Sequence, residues 1–437
     1  MTFEFGSFRV DTERLELSRS GEPVDINRRA VQLLVALVER RGDLVTKEEL
    51  VRAVWGERGA TLNNVAQHVF MLRSALRDTE CEEYILTVPR VGYRFVGEVR
   101  HDAESAGSVI AQHYCRNARH LWSMRTQPSI ASAMTLYRQA LDEDPQCADA
   151  YAGLAVCRYL LAQYMVEPQA EALSAAERDA FRALEIDPRH AQALDVLGVC
   201  AAALRYAWRE SEQLLLASIR ERPDYLWPHV HVVENCIARG EIAQAWQALA
   251  HAQSLSASDD PFPRLPLLQG TLHYFSYAYG AAMAELTALV AEHPTYGMAR
   301  HALAKALLLA GEAERAQQHV DEILRAKYDP MRPGQPNVRE RTMSLAVWTR
   351  SALGDVEGAR AALRQLEEYA AGRATSRICL AFAALALDEK ARALGLLRDG
   401  IENHDPLAGV VAVDPLFAPL HAHREWNDIL RALNLIS

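Results

Sequence analysis

Cysteine is scarce in this chain. The seven cysteines, Cys81, Cys115, Cys147, Cys157, Cys200, Cys236 and Cys379, are odd in number and never fall at CxxC or other metal-ligand spacings, which argues for buried thiols in a reducing compartment. Long apolar runs are also lacking. No uninterrupted stretch approaches the ~20 residues that cross a bilayer, and the opening "MTFEFGSFRV" carries no basic-then-apolar leader pattern. The expectation is a soluble, cytoplasmic protein with no membrane partner. Nor are the phosphate loop GxxxxGK[ST], the nucleophile motif GxSxG or the zinc motif HExxH present. The pairs "HVH" (His229, His231) and "HAH" (His421, His423) sit in helical surroundings without a cysteine and carboxylate constellation, so they read as ordinary surface or groove histidines. No enzyme, metal or cofactor is expected.

An excess of positive charge is missing as well. The net formal charge is -10, and residues 1 to 99 hold 14 Lys and Arg against 16 Asp and Glu. Any nucleic-acid binding must therefore come from a locally basic face and not from bulk charge.

What the chain does have is 437 residues, half of them hydrophobic, enough for two or more well-packed domains. From residue 3 to 26 apolar residues fall two apart in short runs, Phe3 and Phe5, Leu15 and Leu17, Val24 and Ile26, which predicts small antiparallel strands with "SRSGEP" as a turn. The period then becomes helical. Val31, Leu34, Val35 and Val38 form one stripe after Asn27 as N-cap, and Thr46 with Glu49 makes a capping box for a second helix with Leu50, Val54 and Trp55 inward. A third helix carries Leu62, Val65, Val69, Leu72 and Leu76. "YILTVPRVGYRFV", residues 84 to 96, returns to strand composition. "GEVRHDAESAGSV" reads as a linker.

Beyond it the chain is alanine-rich and helical almost to its end. Pro145, Pro188, Pro223, Pro261, Pro294 and Pro330 close successive units at separations of 43, 35, 38, 33 and 36 residues. That spacing is close to the 34 of a tetratricopeptide array. Six to eight such units are expected to stack into one superhelix, because none can bury its own apolar stripe alone. "LHYFSYAYG" in the least regular unit packs Tyr274, Phe275, Tyr277 and Tyr279 together, either as core or as a sensory pocket or docking surface.

Three helices and a terminal hairpin before residue 100 invite a helix-turn-helix reading, with the helix over 61–77 in a major groove. Asn63, Asn64, Gln67, His68, Phe70, Met71 and Ser74 fall on or beside the face opposite its apolar stripe. Asn and Gln can donate and accept together against adenine, and Phe70 or Met71 can meet a thymine methyl. The same residues also fit the polar side of an ordinarily packed helix. In the hairpin, Pro89 suits a turn, Gly92 allows reversal or a bulge, and together they would present Arg90 at an exposed tip. Tyr93 and Phe95 suit the core.

The phrases "FGSFRVD", "LSRSGEPVDIN", "GDLVTKEELVRAVWG", "LRSALRD" and "YILTVPRVGYRFV" resemble the winged-helix DNA-binding domain of OmpR/PhoB-type regulators. The order, with this domain first, is similar to the ToxR/CadC/HilA-like kind, here without a transmembrane segment and with tetratricopeptide-like helices behind. The resemblance implies that 61–77 is the recognition helix, with Gln67, His68 and Met71 facing bases and Arg73 near phosphate or paired within the domain. The family often has an arginine at the Met71 position. Thr87 matches a wing residue that touches phosphate, with Arg90 near the wing tip. The loop "WGERGATLNN" makes Glu57 and Arg58 candidates for contact with RNA polymerase.

The expected fold is an α+β winged helix-turn-helix domain (1–99), a linker (100–109) and an all-α tetratricopeptide-like superhelix (110–437). The expected function is sequence-specific regulation of transcription, with double-stranded promoter DNA as partner, activation as its sense, and homodimerisation suggested by the small footprint of one domain. The array would bind a partner protein or a small ligand. The rival reading is an interaction scaffold whose winged domain no longer binds DNA.

Overall fold

The computed structural model describes residues 2–12, 14–40, 42–55, 62–77, 84–89, 91–97, 99–101, 106–164, 166, 168–255, 263–326, 335–371 and 375–436. They form two compact units, the first running to Val109 and taking in Arg222–Asp224, the second made of Ile110–Glu221 and Tyr225–Ser437.

In the first unit, β1 (Thr2–Phe5), β2 (Phe8–Asp11), β3 (Glu16–Arg19) and β4 (Glu22–Pro23) form an antiparallel meander. Strict alternation puts Phe3, Phe5, Phe8, Val10 and Leu17 in the core and turns Glu4, Arg9 and Glu16 outward. α1 (Arg28–Val38) starts at Asn27, whose Oδ1 accepts from the Ala30 amide at 2.8 Å. β5 (Leu44–Thr46) leads into α2 (Lys47–Trp55) through the anticipated capping box: the Glu49 amide donates to Thr46 Oγ1 at 3.2 Å, and Glu49 Oε2 accepts from the Thr46 amide at 2.8 Å. α3 (Leu62–Ala75) follows, then β6 (Ile85–Val88) and β7 (Gly92–Phe95), which pair in a sheet of order β5-β7-β6. Within 100–109, β8 (Arg100–His101) adds to β1 at the edge of the first sheet, and α4 (Ala106–Ser123) begins.

Leu33, Leu34, Leu37, Leu50 and Leu72 from the three helices close over an aromatic cluster of Phe5, Phe8, Tyr84 and Phe95. These rings meet edge-on or stacked, with centroids 4.9 to 5.9 Å apart.

In the second unit α5 (Gln127–Glu143) leads, among the described residues, into seven successive helix pairs. They are α6 (Ala148–Gln163) with α7 (Gln169–Ile186), α8 (Ala191–Arg205) with α9 (Trp208–Glu221), and α10 (Leu226–Ala238) with α11 (Ile242–Leu255). Then come α12 (Arg264–Phe275) with α13 (Tyr279–Glu292), and α14 (Gly297–Leu309) with α15 (Ala313–Arg325). α16 (Gln335–Ala352) with α17 (Val356–Ala370), and α18 (Arg377–Leu385) with α19 (Lys390–Glu402), complete the set before α20 (Trp426–Ala432). Short connections make each pair an antiparallel hairpin, and each packs on the next as in a helical superhelix.

The repeat register is visible in the backbone. One residue in the left-handed region ends the first helix of six of these pairs: Tyr206, Gly240, Tyr277, Gly311, Gly354 and Asp388. Their separations of 34, 37, 34, 43 and 34 match the tetratricopeptide period more closely than the prolines do. The stretch "LHYFSYAYG" is thus a regular hairpin turn and not an interruption. Tyr274 and Phe275 are buried, whereas Tyr277, which carries the positive φ, is exposed. Pro261 and Pro330 lie outside the described residues.

Candidate nucleic-acid interface

The apolar stripe of α3 fixes which side is free. Val65, Val69 and Leu72, with Leu76 beyond the helix end, are buried, and Ala66, Gln67, Phe70 and Ser74 are exposed. Gln67, Phe70 and Ser74 stand at i, i+3 and i+7 and so share one face. Phe70 is 72% exposed.

Residues beside this face are partly engaged. His68 Nδ1 donates to the Asn64 carbonyl at 2.7 Å, so in the neutral ring Nε2 is the acceptor. Its ring stands edge-on to Trp55 at 5.1 Å, and the Arg29 guanidinium lies over the Trp55 ring, 5.8 Å from its centroid. Met71 Sδ accepts from Asn27 Nδ2 at 3.5 Å, so the residue that caps α1 also ties down α3. Asn63 lies on α3, and its side chain is outside the described residues.

Arg73 is committed inside the domain. Its Nε and Nη2 donate to the Ile85 carbonyl at 3.0 and 2.5 Å, and Nη2 donates to Thr87 Oγ1 at 2.9 Å. Thr87 is exposed on β6. Arg73 uses one of the two lone pairs of its hydroxyl oxygen, which leaves the hydroxyl able to donate.

The hairpin is built as composition suggested, with one difference. Val88 pairs with Gly92 and Ile85 with Phe95, and the Val91 amide closes the turn on the Val88 carbonyl at 3.2 Å. Gly92 does not sit in the left-handed region; it pairs with Thr46 as well as Val88, and a Cβ there would lie 2.0 Å from the Val45 carbonyl oxygen. Close backbone approach, not chain reversal, is what requires glycine. Tyr93 and Phe95 are core. Arg90, Glu57 and Arg58 lie outside the described residues. Sequence reasoning misses the Arg29, Trp55 and His68 stack, because helical spacing alone points Trp55 inward; an arginine beside a helix start and a tryptophan at a helix end carry no pairwise signal.

Among the described residues no cluster of three metal-ligating side chains exists, and no helix is long and apolar enough to cross a membrane. His231 Nδ1 instead meets Asp195 Oδ1 at 2.7 Å inside the array.

Residues 21–95 match the family model described as "Transcriptional regulatory protein, C terminal". The transcriptional activator CadC of Escherichia coli (strain K12) is 30% identical over 107 residues, 24% of this chain and 21% of CadC. The transcriptional regulator HilA of Salmonella typhimurium is 31% identical over 93 residues, 21% of this chain and 17% of HilA. The matched segment is thus about a fifth of the length of either relative. Among solved structures, a tetratricopeptide repeat protein from Parabacteroides merdae covers 64% of this chain and 99% of its own, at 12% identity and a TM-score of 0.43. The similarity to these regulators is confined to the N-terminal domain, which has the fold of an OmpR/PhoB-type winged-helix DNA-binding domain, and the helices behind it form a repeat array.

Proposed function

We propose that this protein is a sequence-specific transcriptional regulator, acting in the cytoplasm as an activator, in which the winged domain reads promoter DNA and the helical array mediates protein interaction, oligomerisation or signal sensing. The observation that carries the reading is the exposed face of α3, Gln67, Phe70 and Ser74, next to a wing whose Thr87 hydroxyl is oriented by Arg73. A helix of this length in a major groove presents its outward side chains to base edges. Gln67 is suited to adenine, Phe70 and Met71 to a thymine methyl, and His68 Nε2 to a base amino group. Asn63 and Asn64 would contact bases or sugar near the helix start. Thr87 and Arg90 would hold the backbone and set register without choosing sequence. Glu57 and Arg58 are the proposed contacts to RNA polymerase, and a homodimer would double the small footprint of one domain.

The charge of residues 1 to 99, 14 basic against 16 acidic, favours the second reading, a scaffold without DNA binding. A gel-shift series with the full chain on promoter fragments from its own genome at physiological salt separates the two. Binding to selected fragments well above bulk DNA is expected, with transcripts of the bound promoters falling when the gene is deleted; equal, weak binding to every fragment favours the scaffold, and rising transcripts mean repression.

A further inference from the structure

The helical array holds a pocket of about 330 Å³ that is partly open to solvent. The first helices of successive pairs, α6, α8, α10, α12, α14 and α16, all contribute to its wall, and residues 405–414 close it. This closing segment is firmly tied: Tyr274 donates to Asp414 Oδ1 at 2.7 Å, and Lys305 pairs with the same carboxylate. Further along, Tyr206 donates to the Ile401 carbonyl at 2.8 Å and Trp208 Nε1 to the Leu433 carbonyl at 2.6 Å. The pocket is at the lower end of the roughly 300–1,000 Å³ typical of small-molecule sites.

The charged groups in the wall are mostly satisfied by one another. Arg264 pairs with Glu234, and Lys305 with Asp414. Asp405 accepts from Ser376 Oγ at 2.8 Å and from the Ile378 and Leu407 amides at 3.1 and 3.0 Å. Arg341 is the exception. It lines this cavity and an adjoining one of about 110 Å³, its buried Nε has no hydrogen-bond partner, and it forms no ion pair with a described carboxylate. Asp405 acts on it only through space, its own oxygens being held by Ser376 and two amides, and its neighbour Glu340 does not compensate, because burial pushes that carboxyl up to about 8. A partly buried guanidinium without a partner is costly, and its planar fork matches a carboxylate.

Two further atoms in the wall are incomplete. Asn235 Oδ1 and Gln169 Oε1 are buried acceptors without a donor, although Asn235 Nδ2 is used on the Trp208 carbonyl at 3.0 Å. Between these groups the wall is aromatic, from Tyr206, Trp208, Tyr274 and Phe275. Glu234, Asp405 and Asp414 in the same wall would repel a second negative charge.

We propose that this cavity binds a small organic monoanion, a carboxylic acid with a flat apolar body and an N–H or O–H donor, whose carboxylate pairs with Arg341 and whose donor meets Asn235 Oδ1. Such a molecule completes the unpaired cation and acceptor at once and displaces water from the aromatic wall. The site stands on the array alone and does not depend on DNA binding.

The test uses the full chain, indole-3-acetate and 4-hydroxyphenylacetate as probes, and their neutral amides as controls, read by calorimetric titration and thermal shift. At least one acid is expected to bind, its amide at least tenfold more weakly. Arg341→Gln should weaken that acid at least tenfold while the unliganded melting temperature holds or rises, since an unpaired cation is removed. The proposal is overturned if neither acid binds, if acid and amide bind alike, or if inorganic phosphate produces the same shift as the acids. A drop in the unliganded melting temperature of Arg341→Gln, or failure of that variant to fold, would equally overturn it, because Arg341 would then be structural. DNA binding is measured separately, so failure here leaves the regulatory reading intact.

Discussion

Arg73 and Thr87 lock the third helix to the hairpin: the guanidinium donates to Thr87 Oγ1 at 2.9 Å while two more of its bonds hold the Ile85 carbonyl. A basic residue on a DNA-binding helix would ordinarily be assigned to phosphate, but here its donors fix the angle between helix and wing. Arg73→Ala is expected to cost about 1–2 kcal/mol of stability, the range for hydrogen bonds from a charged group that is only part-buried. It should also weaken DNA binding by a similar factor on every sequence, because both elements lose their relative position. Arg73→Lys should rescue little, since an ammonium cannot reproduce the fork. Chemical denaturation together with gel shifts on preferred and random DNA checks this; a sequence-selective loss would mean that Arg73 contacts bases instead.

Gln67 and Thr87 should separate selection from positioning. Gln67→Ala is expected to lose about 1–3 kcal/mol at a preferred site and almost nothing on random DNA, the signature of a lost base contact. Thr87→Val should weaken both equally and leave the salt slope of binding unchanged, because no charge is removed. Titrations at several salt concentrations distinguish the two patterns.

Much of this was legible in the sequence because the relevant signals are local. The Asn27 cap, the box between Thr46 and Glu49 and the alternation around Phe8 and Val10 each depend on neighbours a few residues apart, and each is found where spacing put it. Relationships that depend on the third dimension were not readable. Nothing in a linear reading links Arg29 to Trp55 or Asn27 to Met71, and the cavity wall gathers Gln169, Asn235 and Arg341 from three separate helix pairs. The aromatic run near Tyr274 did mark that wall, although which of its rings face inward depends on the left-handed turn at Tyr277.

Gly92 offers a test of packing that is independent of DNA. A Cβ added here would lie 2.0 Å from the Val45 oxygen, so Gly92→Ala must push β7 away from β5, where Val45 pairs with Tyr93. A loss of about 1–3 kcal/mol is expected, the usual cost of overpacking a filled site. Since the backbone there is not left-handed, the cost is steric; a variant with Ala at the positive-φ turn residue Gly21, which has open space, should lose less. Thermal melts of the two variants side by side provide the comparison.

Glu340 should make stability fall as pH rises. Burial raises its carboxyl from 4.5 to about 8, and the nearby Asp405 adds to the shift, while the Ser376 amide at 2.6 Å and Arg341 oppose it. The folded chain therefore keeps a proton that the unfolded chain releases above pH 4.5. Between about 4.5 and 8 the unfolded state binds fewer protons, so stability decreases through that window, by at most about 1.4 kcal/mol per pH unit from this group, and levels off above it. Glu340→Gln keeps an oxygen for the Ser376 amide and carries no titrating proton. Its denaturant midpoint should match that of the parent near pH 5 and exceed it increasingly toward pH 8, whereas parallel midpoints across the range would mean that Glu340 is already ionised in the folded chain.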